Sequence, residues 1–182
     1  MSKKFNLIHN ILGFFFKNRP YDEKEVEISN ETYFVRGIVL EDIKDLLSIE
    51  REVYAGELPW TKTAFLMELQ SSDPHLYLLI QKDEQTIGFI GCRIFGKEAH
   101  ITNVAVMTRY QGKGIGSFLI REIQQFATMN HCDKISLEVR LSNKNAQRVY
   151  RQLGFISNTI KPDYYEQDKE DALEMILFLK EV

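Results

Sequence analysis

Gln111, Gly112, Lys113, Gly114, Gly116 and Ser117 close a stretch that begins with the apolar run Val104-Ala105-Val106. Helical spacing takes over at once: Ile115, Leu119, Ile120, Ile123, Phe126 and Ala127 recur three and four residues apart. A strand, a glycine-rich turn and a helix start together make a backbone anion site. Glycine has no Cβ, so several N–H groups can turn inward while a phosphate comes close. The helix start adds donors without helical partners and a partial positive charge. Lys113 would add a full one. Two phosphate motifs do not fit. A Walker loop ends in Gly-Lys-Ser/Thr, whereas Gly116 directly precedes Ser117. A dinucleotide fingerprint reads Gly-x-Gly-x-x-Gly with a strand-borne acidic residue ~20 positions on. Here the spacing is Gly-x-Gly-x-Gly, and no such residue stands out. The plain alternative is a flexible strand-to-helix turn.

Glu138 is the second residue whose place suggests chemistry. Ile135, Leu137, Val139 and Leu141 point to one side of an alternating segment, and Ser136, Glu138 and Arg140 to the other. A carboxylate there is either a structural partner for Arg140 or another base, or a general base facing a ligand at the glycine turn. Tyr150 shares a helical stripe with Ala146, Val149 and Leu153, so it reads as a core aromatic unless its hydroxyl meets the site. Asn143 reads first as a helix cap.

The elements that must position these residues follow in order. A strand is expected over 33–38, helices over 41–54 and 61–70, and strands over 76–82, 86–95 and 98–106. The first helix carries Ile43, Leu46, Leu47, Glu50, Val53 and Tyr54 at helical spacing, and Thr61 caps the second. Turns fall at Asp83-Glu84 and Gly96-Lys97. A helix over 114–129, the strand 133–141 and a helix over 143–153 come next, and Gly154 stops the last. Strands near 155–161 and 172–180 flank a polar loop holding Tyr164 and Tyr165. This order suits an α/β fold with helices on both faces of a mixed sheet.

Composition narrows the class. The 182 residues are 44% hydrophobic, enough for one full core. A net charge of −3 gives no global basis for nucleic-acid binding. Cys92 and Cys132 lack metal-ligand spacing and read as buried free thiols in a reducing, cytoplasmic compartment. No stretch reaches the ~18 apolar residues of a membrane span.

Residues 1–30 form an extension to a domain spanning 31–182. Phe5, Leu7, Ile8, Ile11, Leu12, Phe14, Phe15 and Phe16 lie between Lys3 and Lys4 on one side and Lys17 and Arg19 on the other. A small-residue cleavage site is lacking, which argues against a signal peptide. The segment fits a short amphipathic helix docked on this chain or a second copy, or a basic-aromatic anchor for a partner or membrane surface. Pro20 and the acidic stretch Asp22 to Glu27 read as a linker.

The pattern Gln111-x-x-Gly114-x-Gly116 resembles the pyrophosphate loop of GNAT N-acetyltransferases. Leu137-Glu138-Val139-Arg140-Leu141-Ser142-Asn143, followed by Ala146, Tyr150 and Leu153-Gly154-Phe155, is similar to the RimI family of bacterial ribosomal-protein alanine N-acetyltransferases. Pro59-Trp60, Tyr164-Tyr165 and Glu170-Asp171-Ala172 extend the likeness over residues 33 to 180. It implies a GNAT fold with a mostly antiparallel sheet and acetyl-CoA as co-substrate without metal. The implied acceptor is a protein N-terminus, the N-terminal alanine of a small-subunit ribosomal protein. Glu138 is implied as general base and Tyr150 as general acid. Val104, Ala105, Val106, Gln111, Gly112, Lys113, Gly114, Ile115, Gly116, Ser117 and Asn143 are implied to hold the cofactor. Trp60, Tyr164 and Tyr165 would frame the acceptor. Lys161-Pro162-Asp163 stands where the family is more basic.

The implied chemistry is direct acyl transfer, since no cysteine is placed to carry the acyl group. An α-amine titrates near ~7.8 and a lysine near ~10.4, so neutralising a lysine costs roughly 3.5 kcal/mol more. One carboxylate therefore suits an N-terminus better. Backbone N–H groups near Val106 would stabilise developing negative charge. Two other readings remain at this stage: acetylation of a lysine, polyamine or antibiotic, and a non-catalytic CoA-binding module.

Overall fold

The computed structural model describes residues 21–54, 56 and 58–179. In chain order the elements are β1 Lys24–Ile28, β2 Glu31–Gly37, α1 Ile43–Val53, α2 Lys62–Leu69, β3 His75–Lys82, β4 Gln85–Phe95, β5 Glu98–Val106, α3 Ile115–Met129, β6 Lys134–Arg140, α4 Lys144–Gln152, β7 Ile156–Tyr165 and β8 Glu170–Phe178. The eight strands form one sheet in the order β1-β2-β3-β4-β5-β6-β8-β7. Every neighbouring pair is antiparallel except β5 and β6. This α/β arrangement, a mostly antiparallel sheet between helices, is the one that the resemblance implies.

The strand period of two sends alternate residues to opposite layers. On one face Leu78, Ile80, Ile90, Ile101, Leu137 and Met175 pack against Ile115, Leu119 and Ile123 of α3. On the other, Leu79, Phe89 and Ala105 pack against Ile43, Leu46 and Ile49 of α1 and Phe65 of α2. Thr61 caps α2 by accepting from Ala64 N–H, and Asn143 caps α4 by accepting from Ala146 N–H. Cys92 and Cys132 are free and buried. Among the described residues, no helix is long and apolar enough to cross a membrane.

Two expectations are corrected. The stretch read as a linker holds β1, which pairs with β2 from Lys24↔Val35 to Ile28↔Glu31. Lys24, Glu25 and Glu27 make it look like solvent-bound chain, yet Val26 and Ile28 alternate with them and pack on the core. The apolar segment 5–16, with the docking expected of it, lies outside the described residues. The second correction concerns Tyr164 and Tyr165, which end β7 rather than lying in a loop. The β7–β8 ladder shifts register between Lys161 and Tyr165, and Asp163 there has φ 50°. Pro162 cannot donate to a ladder, so the strand continues across the break as a bulge.

Candidate active site

β5 and β6 run parallel but pair only at Glu98↔Lys134, Ala99↔Ile135 and His100↔Ser136. Beyond His100 the strands part. β5 stays paired to β4 along Val104, Ala105 and Val106, so its other edge offers free backbone groups toward the opening. One extra residue, Thr102, bulges from β5 where the β4 register shifts, and its hydroxyl meets Tyr77 Oη at 2.9 Å. Gly91 makes this arrangement possible, because a Cβ there would lie 2.2 Å from the Tyr77 ring.

At the C-terminal end of β5 the chain enters the glycine turn. Gln111 Nε2 donates to Val106 O at 2.9 Å, which ties the turn to the strand end. Gly112 and Gly114 take φ 75° and 88°, left-handed values that favour glycine. The first helical bond of α3 runs from Phe118 N–H to Gly114 O, so the N–H groups of Ile115, Gly116 and Ser117 have no helical acceptor. A Cβ on Gly116 would meet nothing within 4 Å. This open concave backbone at a helix start fits a pyrophosphate, and the free edge of β5 fits an extended amide-bearing arm.

Lys113 does not lie in this cradle alone. Its ammonium is 2.8 Å from Glu31 Oε1, and its carbonyl accepts from Ser29 Oγ at 3.0 Å. Ile28 lies 3.5 Å from where a Cβ on Gly114 would stand. The β1–β2 hairpin thus buttresses the glycine turn, a contact that the linker reading could not anticipate.

Glu138 points from β6 to the face opposite α3, and its side chain is 8% exposed. Its partner is not Arg140, which pairs with Asp168 at 2.7 Å and Glu170 at 2.8 Å and lies 4.1 Å from the centroid of the Tyr165 ring. Lys161 Nζ sits 2.5 Å from Glu138 Oε1 and 3.0 Å from Glu174 Oε1. His100 Nε2 lies 3.3 Å from Glu138 Oε2. The two carboxylates hold Lys161 charged, well above the usual lysine range, against the opposing effect of its partial burial.

Of the aromatic residues, Tyr164 and Tyr165 lie beside this carboxylate, while Trp60 lies at Glu50. Tyr164 and Tyr165 stack edge-on with centroids 5.2 Å apart, and both feel the Glu138 charge. Tyr150 packs 6.0 Å from Phe155 and is electrostatically coupled to Tyr54 and Tyr165. Burial is the main reason that the Tyr150 and Tyr165 hydroxyls hold their protons above the usual tyrosine range. Tyr54 is pushed up to about 12, also chiefly by burial. Trp60 packs against Phe65 at 5.2 Å, and its backbone N–H donates to Glu50. Asn143 is exposed and serves as the α4 cap.

Glu50 is the site residue that sequence reading missed as such. It is 0% exposed on α1, accepting from Asn103 Nδ2 at 2.5 Å and from Trp60 N–H at 3.2 Å. Burial pushes its carboxyl up to about 7, against the opposing effect of those two donors. Its place inside the apolar stripe of the first helix is the signal that could have marked it. Both carboxylates reach the same face of β5, Glu138 through His100 and Glu50 through Asn103.

The model of the acetyltransferase (GNAT) family matches residues 40–155. This chain belongs to the GNAT acetyltransferase family. The matched span runs from Leu40, three residues before α1, to Phe155 and contains the glycine turn, Glu138 and Tyr150. The chain is 36% identical over 147 residues to a Bacillus subtilis protein provisionally named ribosomal protein bS18-alanine N-acetyltransferase, covering 81% of this chain and 96% of that one. It is 31% identical over 138 residues to the N-alpha-acetyltransferase RimI of Mycobacterium tuberculosis, covering 74% and 85%. In structure it superposes on the ribosomal-protein-S18-alanine N-acetyltransferase of Escherichia coli with TM-score 0.73 and 27% identity, over 82% of this chain and 96% of that one. This GNAT protein is an acetyl-CoA-dependent N-acetyltransferase, similar to RimI enzymes.

Proposed function

We propose that this acetyltransferase acetylates the α-amine of a protein N-terminus, the N-terminal alanine of a small-subunit ribosomal protein. The observation that carries this reading is Glu138: a nearly buried carboxylate at the mouth of the β5–β6 opening, already holding an ammonium 2.5 Å away. Lys161 is shared with Glu174, so the two carboxylates carry one negative charge more than the lysine neutralises, which favours an incoming ammonium. The names of the Bacillus subtilis and Escherichia coli relatives support the choice of acceptor.

Acetyl-CoA supplies an activated thioester when bound. The backbone N–H groups of Gly112, Lys113, Gly114, Ile115, Gly116 and Ser117 would hold its pyrophosphate, and Val104, Ala105 and Val106 its extended arm, with Asn143 flanking. Glu138 takes the proton that the acceptor ammonium must lose before it can attack. Tyr150 keeps its proton through the working range and offers it toward the departing sulfur. Trp60, Tyr164 and Tyr165 frame the first residues of the acceptor. Glu50 is the rival base, favoured by a carboxyl raised to about 7. Glu50 is fully buried and bonded to Asn103 and Trp60, whereas Glu138 keeps some exposure beside the β5–β6 opening, which favours Glu138 for proton removal and leaves Glu50 to fix Asn103 and Trp60.

The test is an acetylation assay over peptides that differ only in their first residues, with product located by mass spectrometry. Acetyl on the α-amine of alanine-initiated peptides, at the highest kcat/KM of the set, supports the reading. Transfer only to internal lysines, or only to small polyamines, would replace the acceptor.

A further inference from the structure

Glu138 touches more than Lys161. On its other oxygen begins a line of side chains that the acyl transfer itself does not use. His100 Nε2 is 3.3 Å from Glu138 Oε2, and the opposite ring nitrogen, Nδ1, is 2.8 Å from Ser136 Oγ. Ser136 is 1% exposed, and its hydroxyl donates to Glu98 Oε1. The Glu98 side chain is 32% exposed and pairs with Lys134 at 2.8 Å. The line lies along the three residue pairs that join β5 to β6. It therefore runs from the point where the strands part to the far end of the sheet.

We infer that His100, Ser136 and Glu98 carry the proton collected by Glu138 out to solvent, at the end of the sheet opposite the glycine turn. The inference rests on the reading of Glu138 as the base. Each turnover forms one C–N bond and breaks one C–S bond. The acceptor ammonium gives up one proton to Glu138, and a second leaves the nitrogen as the amide forms, while the CoA thiolate takes up at most one. At least one proton per turnover must therefore reach bulk water. Lys161, charged and held between Glu138 and Glu174, cannot accept it. The tautomer of His100 with its proton on Nδ1 can, at Nε2, while that Nδ1 proton passes to Ser136 Oγ and the Ser136 proton passes to Glu98. Loss of that proton from Glu98 to water restores the carboxylate. The ring recovers its first tautomer by exchange with solvent, its side chain being 24% exposed.

The charged groups around His100 are on five further elements. Glu138 faces it from β6, and Arg93 lies opposite it on β4, paired with Glu68 of α2 at 2.9 Å. Glu174 on β8 and Lys161 on β7 lie beyond Glu138. Glu98 shares its strand. A bare structural histidine needs no serine that is itself bonded onward to a half-exposed carboxylate; a relay needs both.

His100 acts through Glu138, which makes it a positioning residue, and the readout must distinguish proton release from folding. Rates with saturating acetyl-CoA and an alanine-initiated peptide are measured for the wild type, His100→Gln, Ser136→Ala and Glu138→Gln, at fixed pH and ionic strength and rising imidazole concentration. His100→Gln should lose about tenfold in kcat at low buffer, a modest share of a general-base effect, with the peptide KM within twofold. The loss should shrink as imidazole carries the proton instead. Ser136→Ala, which removes one oxygen and tests the line even if His100→Gln does not fold, should show a smaller loss with the same buffer dependence. The wild type should not respond to buffer. Variants within twofold of wild type, or losses that imidazole does not restore, overturn the relay. Should Glu138→Gln keep full turnover, the base assignment falls and the relay with it. If Glu138→Gln is inactive while the other two are normal, the relay alone falls.

Discussion

Lys161 Nζ lies 2.5 Å from Glu138 Oε1, across two strand boundaries and 23 residues of sequence. The pair joins β7 to β6 over β8 and keeps a cation on the proposed base. Glu138 and Glu174 together hold the Lys161 ammonium in its charged form. Lys161→Met leaves both carboxylates without that cation, and the variant should lose about 1 kcal/mol of stability in denaturant titration at neutral pH. Unchanged stability would show that the contact contributes nothing to the fold.

The glycine turn can be tested without straining the backbone. Gly116 has open space around its Cβ position and an ordinary φ, whereas Gly114 sits at φ 88°. Gly116→Val should weaken acetyl-CoA binding more than tenfold in calorimetry, with a thermal midpoint near that of the wild type. Gly114→Val should lose affinity and also about 1–2 kcal/mol of stability, because a branched side chain resists the left-handed region. Unchanged affinity in a folded Gly116→Val protein would remove the turn from the cofactor site.

Glu50 should make stability depend on pH. Its carboxyl is raised from an ordinary 4.5 to about 7 by burial. Below pH 4.5 both folded and unfolded chains hold the proton. Between about 4.5 and 7 the unfolded chain releases it first, so the folded state loses stability, and the loss levels off above 7. The total is at most about 3 kcal/mol. Denaturant titrations of the wild type and Glu50→Gln at pH 5 and 8 should show the variant gaining relative to the wild type as pH rises. Parallel pH dependence in the two proteins would contradict the shift.

Tyr150→Phe keeps the ring against Phe155 and removes only the hydroxyl. CoA leaves as a thiolate whose ordinary thiol titrates near ~8.5, so the demand for an acid is modest. Turnover should fall by roughly 10²-fold, the low end for acid catalysis, and raising the pH should not restore it. A variant within twofold of wild type would leave Tyr150 as a core aromatic only.

Sequence made the β5 run, the glycine turn and the alternation around Glu138 legible, because each is a local pattern within about fifteen residues. The partners of Glu138 were not legible. His100 and Lys161 reach it only through the strand order β5-β6-β8-β7, which local periodicity does not encode. Tyr164 and Tyr165 looked like loop residues because Pro162-Asp163 breaks the alternation at what is a bulge. β1 is hidden in the sequence because Lys24, Glu25 and Glu27 outweigh the two-residue period of Val26 and Ile28. Glu50 was visible as an acid in an apolar stripe, but only its bonds to Asn103 and Trp60 show what it does there.

The most direct measurement is the pH profile of kcat/KM for Glu138→Gln with an alanine-initiated peptide. The substitution keeps shape and removes basicity, so turnover near neutral pH should fall by ~10²-fold or more, with acetyl-CoA affinity largely kept. Rising pH should partly restore the rate, because solution then deprotonates the α-amine unaided. Wild-type turnover at pH 7 in the folded variant would contradict the assignment of Glu138 as the base and with it the proposed mechanism.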